Sequence, residues 1–178
     1  GLAAYTGNED IFARFLPTDP TTRDTSQAKE AFAEFAQLLA RFPNSPYAAD
    51  AEARMIALRN LLARHEIIVA NYYLRRGAFL AAVNRGRFVV ENFQHTPAVD
   101  DGLAIMAQGY IYLGMDDLAE ESIKVLAANF PNYPAIGKDG QFISDYTMRG
   151  VQRSWINQAS LGLLDPPQPP QFDHRPKI

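Results

Sequence analysis

Apolar positions along this chain never settle into the strict alternation with polar ones that marks a half-buried strand. They gather inside long stretches rich in Ala, Leu, Arg and Glu, residues that favour helix. Proline punctuates those stretches: none occurs from Tyr47 to Thr96, and none from Ala98 to Phe130. The pattern predicts an all-α chain. Helices are expected near 9–16, 26–42, 46–76, 78–93, 97–113 and 116–129, with a weaker one near 151–163. Ser45-Pro46 and Thr96-Pro97 read as N-cap hydroxyls followed by Pro at the first helical position. Asp100 and Asp101 then fall in a first turn, where carboxylates complement the helix dipole. Asp116 is placed to cap another helix, and Gly77 and Gly114 are natural stops.

The helix ends repeat. Phe42-Pro43-Asn44-Ser45-Pro46, Phe93-Gln94-His95-Thr96-Pro97 and Phe130-Pro131-Asn132-Tyr133-Pro134 are variants of one theme. Gly77 to Gly114 and Pro97 to Pro134 are both separations of 37 residues, so two independent markers share a period. In the last unit Ala107, Tyr110, Gly114, Ala119, Ile123, Leu126 and Pro131 follow the tetratricopeptide pattern, in which small residues let antiparallel helices approach. The preceding unit matches less closely, with Gly86 where a larger apolar residue is usual. Pro46 to Pro97 exceeds the period by 14 residues, close to four α-helical turns. One helix is therefore expected to be lengthened without changing its facing, to about 45 Å at roughly 1.5 Å per residue. Its apolar residues, among them Met55, Leu58, Leu62, Ile67 and Tyr73, spread around it widely enough to require cover on more than one side.

Composition adds limits. The 178 residues are 47% hydrophobic and 21% charged, with no Cys and a net charge of −3. Absent Cys removes disulfides and thiolate zinc sites, and the negative net charge argues against nucleic acid as a partner. No apolar stretch approaches the roughly 18 residues of a membrane span. No signal peptide is read at the start, so the chain is expected to be cytoplasmic, processed or trimmed. Charge is segregated. Residues 54–87 carry seven Arg against Glu66, whereas residues 88–121 carry seven carboxylates and no base. Either the two blocks neutralise each other within the fold or the Arg block docks an acidic partner surface.

No catalytic constellation emerges. His65, His95 and His174 lack partners at ligand spacing, and neither a nucleophile elbow nor a phosphate-binding Gly loop is present. Asp100-Asp101 and Asp116-Asp117 read as helix-start residues rather than paired acids. The chain is therefore expected to be no enzyme and to need no cofactor or metal. Tyr72 with Arg75 and Arg76 forms an aromatic–Arg cluster of the kind that dominates interfaces. Arg64 lies eleven residues before Arg75, on the same helix face. Asn84, Arg85 and Arg87 follow a short Gly turn and add to that surface. Residues 165–178, DPPQPPQFDHRPKI, contain five Pro. They are expected to be an extended or disordered tail, with a Pro-rich docking peptide as the alternative.

Residues 28–134 resemble the BamD (ComL) family of tetratricopeptide lipoproteins. The resemblance rests on Ala31-Phe32-x-x-Phe35, Phe42-Pro43-Asn44-Ser45-x-Tyr47, Asp50-Ala51, and Val69-Ala70-x-Tyr72-Tyr73-x-x-Arg76-Gly77-Ala78. It continues through Ala82-Val83-Asn84-Arg85, Thr96-x-Ala98-x-Asp100-x-Leu103 and Ala127-Ala128-Asn129. Gly1 to Pro20 matches the middle of a family repeat more loosely, and residues from 136 onward are unmatched.

The resemblance implies a carboxyl-terminal half, without the family's signal, lipidated Cys and first two repeats. It implies a tetratricopeptide-like repeat domain over 1–135 and a carboxyl-terminal extension over 136–178. It also implies a non-catalytic scaffold in outer-membrane β-barrel protein assembly, at the periplasmic face of the outer membrane. Membrane contact would come only through a lipid anchor outside this chain. The expected partner is the periplasmic POTRA region of BamA, with other lipoproteins of the assembly complex in addition. Arg76 and Arg85 match family Arg positions and lead the expected contacts, followed by Tyr72, Asn84, Arg75 and Arg64. The alternative is a peptide-binding tetratricopeptide module of another complex.

Overall fold

The computed structural model describes residues 25–144 and 171–174. The helices expected near 9–16 and 151–163 lie outside them. Among the described residues the chain is helical: α1 (Ser26–Arg41), α2 (Ala48–Arg75), α3 (Phe79–Asn92), α4 (Val99–Leu113) and α5 (Asp116–Asn129). Each helix packs on the next, and α2 also reaches α4, giving a tetratricopeptide-like array of antiparallel hairpins. The lengthened helix is α2, whose 28 residues span about 42 Å.

The three repeated motifs build one turn three times. The amides of Phe42, Phe93 and Phe130 donate to Leu38, Val89 and Leu126 and close the preceding helix. Each Phe carbonyl then accepts the amide three residues on, at Ser45, Thr96 and Tyr133. A second turn follows immediately, with Ala48, Val99 and Ile136 donating back to those same residues. Pro46, Pro97 and Pro134 occupy the second position of that second turn, where a fixed φ is favourable. The N-cap expectation is corrected by this extra turn. Helices α2 and α4 start at Ala48 and Val99, after Tyr47 and Ala98, and neither cap makes a side-chain bond. Ser45 Oγ instead accepts the Tyr47 amide at 3.2 Å, and Thr96 Oγ1 donates to the Phe93 carbonyl at 2.8 Å. Likewise Asp116 is the first residue of α5, after the cap residue Met115. Gly77 and Gly114 end α2 and α4 at φ +72° and +68°, the left-handed geometry that favours glycine.

Helix α4 is the centre of the array. Leu103, Ala104, Ile105, Ala107 and Tyr110 are all buried. Gly86 of α3 and Gly102 of α4 explain how it can be covered so closely. A Cβ at Gly86 would lie 2.7 Å from the Gly102 carbonyl oxygen, and one at Gly102 would lie 3.1 Å from that of Gly86. The poor repeat match at Gly86 is thus a backbone-to-backbone crossing that a larger residue would push apart. The main core joins Ala63, Ile67, Ala70 and Leu74 of α2 with Leu103 to Ile105, Leu126, Tyr133 and Ala135. A bridge between Ile136 and Phe142 folds the chain back after the third turn, and Phe142 packs on the same core. Phe172 completes it, fully buried against residues more than a hundred positions earlier.

Candidate functional site

The carboxyl end of α2, the Gly77 turn and the first two turns of α3 carry Tyr72, Arg75, Arg76, Asn84 and Arg85, all exposed. Tyr72 is 46% exposed, and the Arg76 guanidinium carbon sits 5.4 Å from its ring centroid. Arg76 Nε also donates to the Tyr72 hydroxyl at 3.2 Å, and the Tyr73 ring meets Tyr72 edge-on at 5.9 Å. The aromatic ring holds the long Arg side chain in place, which lowers the entropy it would lose on meeting a partner. Arg75 and Asn84 are exposed on either side of the turn.

Arg85 stands where α3 faces α2. Its Nη1 donates to Glu66 Oε2 at 2.8 Å, with the Arg side chain 44% exposed and the Glu largely covered. Glu66 raises the Arg85 pKa above its ordinary value, against the opposing effect of burial, and Tyr73 adds to the rise. The guanidinium is thus a permanently charged fork, anchored at Glu66 and partly open to solvent. Beside it lies a groove of about 220 Å³ between α1, α2 and α3, lined by Lys29, His65, Glu66, Arg85, Phe88 and Phe93 among others. Phe88 is 43% exposed and braced edge-on by Phe93 at 5.7 Å. The arrangement offers charge, a half-exposed aromatic and a recess, the chemistry of a protein-docking surface. Nearby, Arg87 bonds the Tyr110 hydroxyl, and Arg59 Nη2 donates to the Asn92 carbonyl at 3.3 Å.

Arg64 does not belong to this surface. It shares an azimuth on α2 with Arg75, but α4 covers the helix at its level, leaving it only 6% exposed. It pairs with Asp101 and, at 3.1 Å, with Asp173, and its Nη2 donates to the Pro97 carbonyl at 3.3 Å. Asp101 lies in the first turn of α4, as expected, and has a second use: it is wholly buried and accepts bonds from Arg64, from the Tyr133 hydroxyl at 2.7 Å and from the His174 amide at 3.0 Å. A signal for this pair exists in the sequence. Arg64 and Asp101 are separated by 37 residues, one repeat period, so opposite charges occupy the same register of successive first helices. The pair joins the basic block to the acidic one inside the fold, while Arg75, Arg76 and Arg85 keep the basic block exposed at the surface.

Among the described residues no group of three or more His, Asp or Glu could hold a metal ion. Nor, among them, is any helix long and apolar enough to cross a membrane.

The family model YfiO, described as outer membrane lipoprotein, matches residues 1–126. A protein of Neisseria meningitidis serogroup A named outer membrane protein assembly factor BamD is 40% identical over 134 residues, covering 75% of this chain and 50% of that protein. The protein of the same name from Vibrio cholerae serotype O1 is 41% identical over 129 residues, covering 72% and 54%. That of Xylella fastidiosa strain Temecula1 is 40% identical over 127 residues, covering 71% and 43%. The chain spans about half the length of the curated relatives it matches.

Proposed function

The chain belongs to the outer membrane lipoprotein family YfiO, and from that premise we propose that it is part of a non-catalytic scaffold subunit of the outer-membrane β-barrel protein assembly machinery. It docks the periplasmic POTRA region of BamA through the surface of Tyr72, Arg75, Arg76, Asn84 and Arg85, and works at the periplasmic face of the outer membrane. The names of the relatives, assembly factors all, support the role. The observation that carries the docking surface is Arg85. Its guanidinium is held by Glu66 yet nearly half exposed, beside a recess edged by the half-exposed Phe88. A partner carboxylate can share the solvent-open part of the guanidinium without Arg85 leaving Glu66, so little ordering is required on binding.

Calorimetric titration with the soluble POTRA domains of the matching BamA, at two salt concentrations, tests the reading. Saturable binding that weakens with salt is expected. Arg85→Glu should weaken it by more than tenfold, about 1.4 kcal/mol, while Lys124→Glu on the exposed face of α5 should not. Wild-type affinity in a folded Arg85→Glu protein would remove Arg85 from the interface.

A further inference from the structure

Residues 171–174 touch the array as a bound peptide touches its receptor. The segment belongs to no helix or strand. Asn71 of α2, 1% exposed, grips its backbone from both sides: Asn71 Nδ2 donates to the Phe172 carbonyl, and the Phe172 amide donates to Asn71 Oδ1 at 2.8 Å. One carboxamide thus replaces both ladder bonds that a neighbouring strand would supply, and it reads main chain rather than side chain. The Phe172 ring is wholly buried and stacks on Phe142 at 6.1 Å. The next residue, Asp173, meets Arg64 at 3.1 Å. The His174 amide then donates to both Asp101 oxygens at 3.0 Å, and its ring meets Tyr133 edge-on at 5.5 Å.

We propose that this face is a binding site for a short peptide carrying an aromatic residue followed by an acidic one, and that residues 171–174 are its resident intramolecular ligand. The division of labour is that of peptide recognition in general: main-chain bonds supply affinity, and separate pockets for successive side chains supply specificity. Asn71 supplies the first, the Phe142 pocket selects the aromatic, and Arg64 selects the acid. The polar groups of the receptor are already oriented within the array, because Tyr133 and Arg64 both hold Asp101. The site is also separate from the Arg85 surface. Glu66 follows Arg64 by two residues, about 200° around the helix, and turns to Arg85 on the other side. The Glu66–Arg85 and Arg64–Asp173 pairs therefore lie on different sides of α2, while Arg75, one turn beyond Asn71, shares the side of Arg64. Because the segment belongs to the same chain it competes with any free peptide of the same chemistry, which therefore binds only when residues 171–174 are displaced.

The test uses the full chain with the tail released by Asp173→Lys, which sets a cation against Arg64, or by Phe172→Ala. The probe is a fluorescein-labelled peptide, Pro-Gln-Phe-Asp-His-Arg-Pro, followed by anisotropy. Both variants should bind it saturably and at least tenfold more tightly than the unaltered chain. Adding Asn71→Leu, or replacing the peptide's Phe by Ala, should abolish binding. Variants with native helicity that bind the peptide no better than the unaltered chain would overturn the proposal. So would loss of cooperative folding in both, because the segment would then be core rather than ligand.

Discussion

Replacing Asp101 by Ala should cost this fold about 3 kcal/mol, the low end of the roughly 3–5 kcal/mol lost when one partner of a buried ion pair is removed. The carboxylate is wholly buried and accepts from three directions: the Arg64 guanidinium, the Tyr133 hydroxyl and the His174 amide. Each donor loses its acceptor, and the Arg64 charge stays in a site only 6% exposed. The estimate sits low because Asp173, 3.1 Å away, still faces Arg64. Asp101→Asn keeps an oxygen for Tyr133 but turns an amide donor or a neutral acceptor toward the cation. It should cost about 1.5–3 kcal/mol, the worth of a hydrogen bond to a charged group. In a chain of 178 residues a loss of about 3 kcal/mol lowers Tm by roughly 6–12 °C. Urea unfolding followed by circular dichroism gives the free energy directly, provided the slope with denaturant is unchanged. An Asp101→Ala loss below about 1 kcal/mol would mean that the pair recovers little beyond its own desolvation, and the account of Arg64 as a buried, matched charge would be wrong.

Three further outcomes follow from individual contacts. Gly86→Ala places a Cβ 2.7 Å from a backbone oxygen of α4; the strain of about 1–3 kcal/mol should exceed the roughly 1 kcal/mol gained in helix propensity, and a variant more stable in thermal unfolding than the parent refutes the crossing. Gly114→Ala meets no atom within 4 Å but must hold φ +68°, so the backbone strain alone should cost about 1–2 kcal/mol, and an unchanged Tm counts against it. Burial, and secondarily the charge of Asp101, raises the Asp100 pKa despite the Asp101 amide and His174. The folded chain therefore holds that proton more tightly than the unfolded one, and stability contributed by Asp100 rises as pH falls through and below its raised pKa. Asp100→Asn should accordingly stabilise at neutral pH and lose that advantage toward the ordinary carboxylate range; a destabilised variant at neutral pH would show that its ionised form is favoured by the fold.

How much of this was legible in the sequence follows from the range of the signal. Helix extents were legible because they depend on Pro, Gly and composition within a few residues, and Gly77 and Gly114 end helices as expected. The repeated Phe-to-Pro motif was legible as a period, but its meaning was misread at the cap. Ser45-Pro46 and Thr96-Pro97 look like helix starts locally, and only the bonds from Ala48 and Val99 reveal a second turn first. Arg64 failed for a different reason. Periodicity gives an azimuth on a helix, and Arg64 and Arg75 do share one. It does not give cover, which depends on α4, a neighbour one repeat away in sequence. The same azimuth is thus interior at Arg64 and solvent at Arg75.

That contrast also explains why the Arg block reads ambiguously as a whole. Its residues divide between two uses that composition cannot separate. Arg64 answers a carboxylate one period away and helps close the interior, where an unmatched charge would be costly. Arg85 answers a largely buried carboxylate on the adjoining helix of its own hairpin, with its own side chain 44% exposed. The half-exposed Arg85 keeps part of its guanidinium open to solvent, and Arg76, held over Tyr72 rather than by a carboxylate, leaves more. The cations that stay open to solvent are therefore Arg75, Arg76 and part of Arg85, whereas Arg64 is committed to the interior by α4.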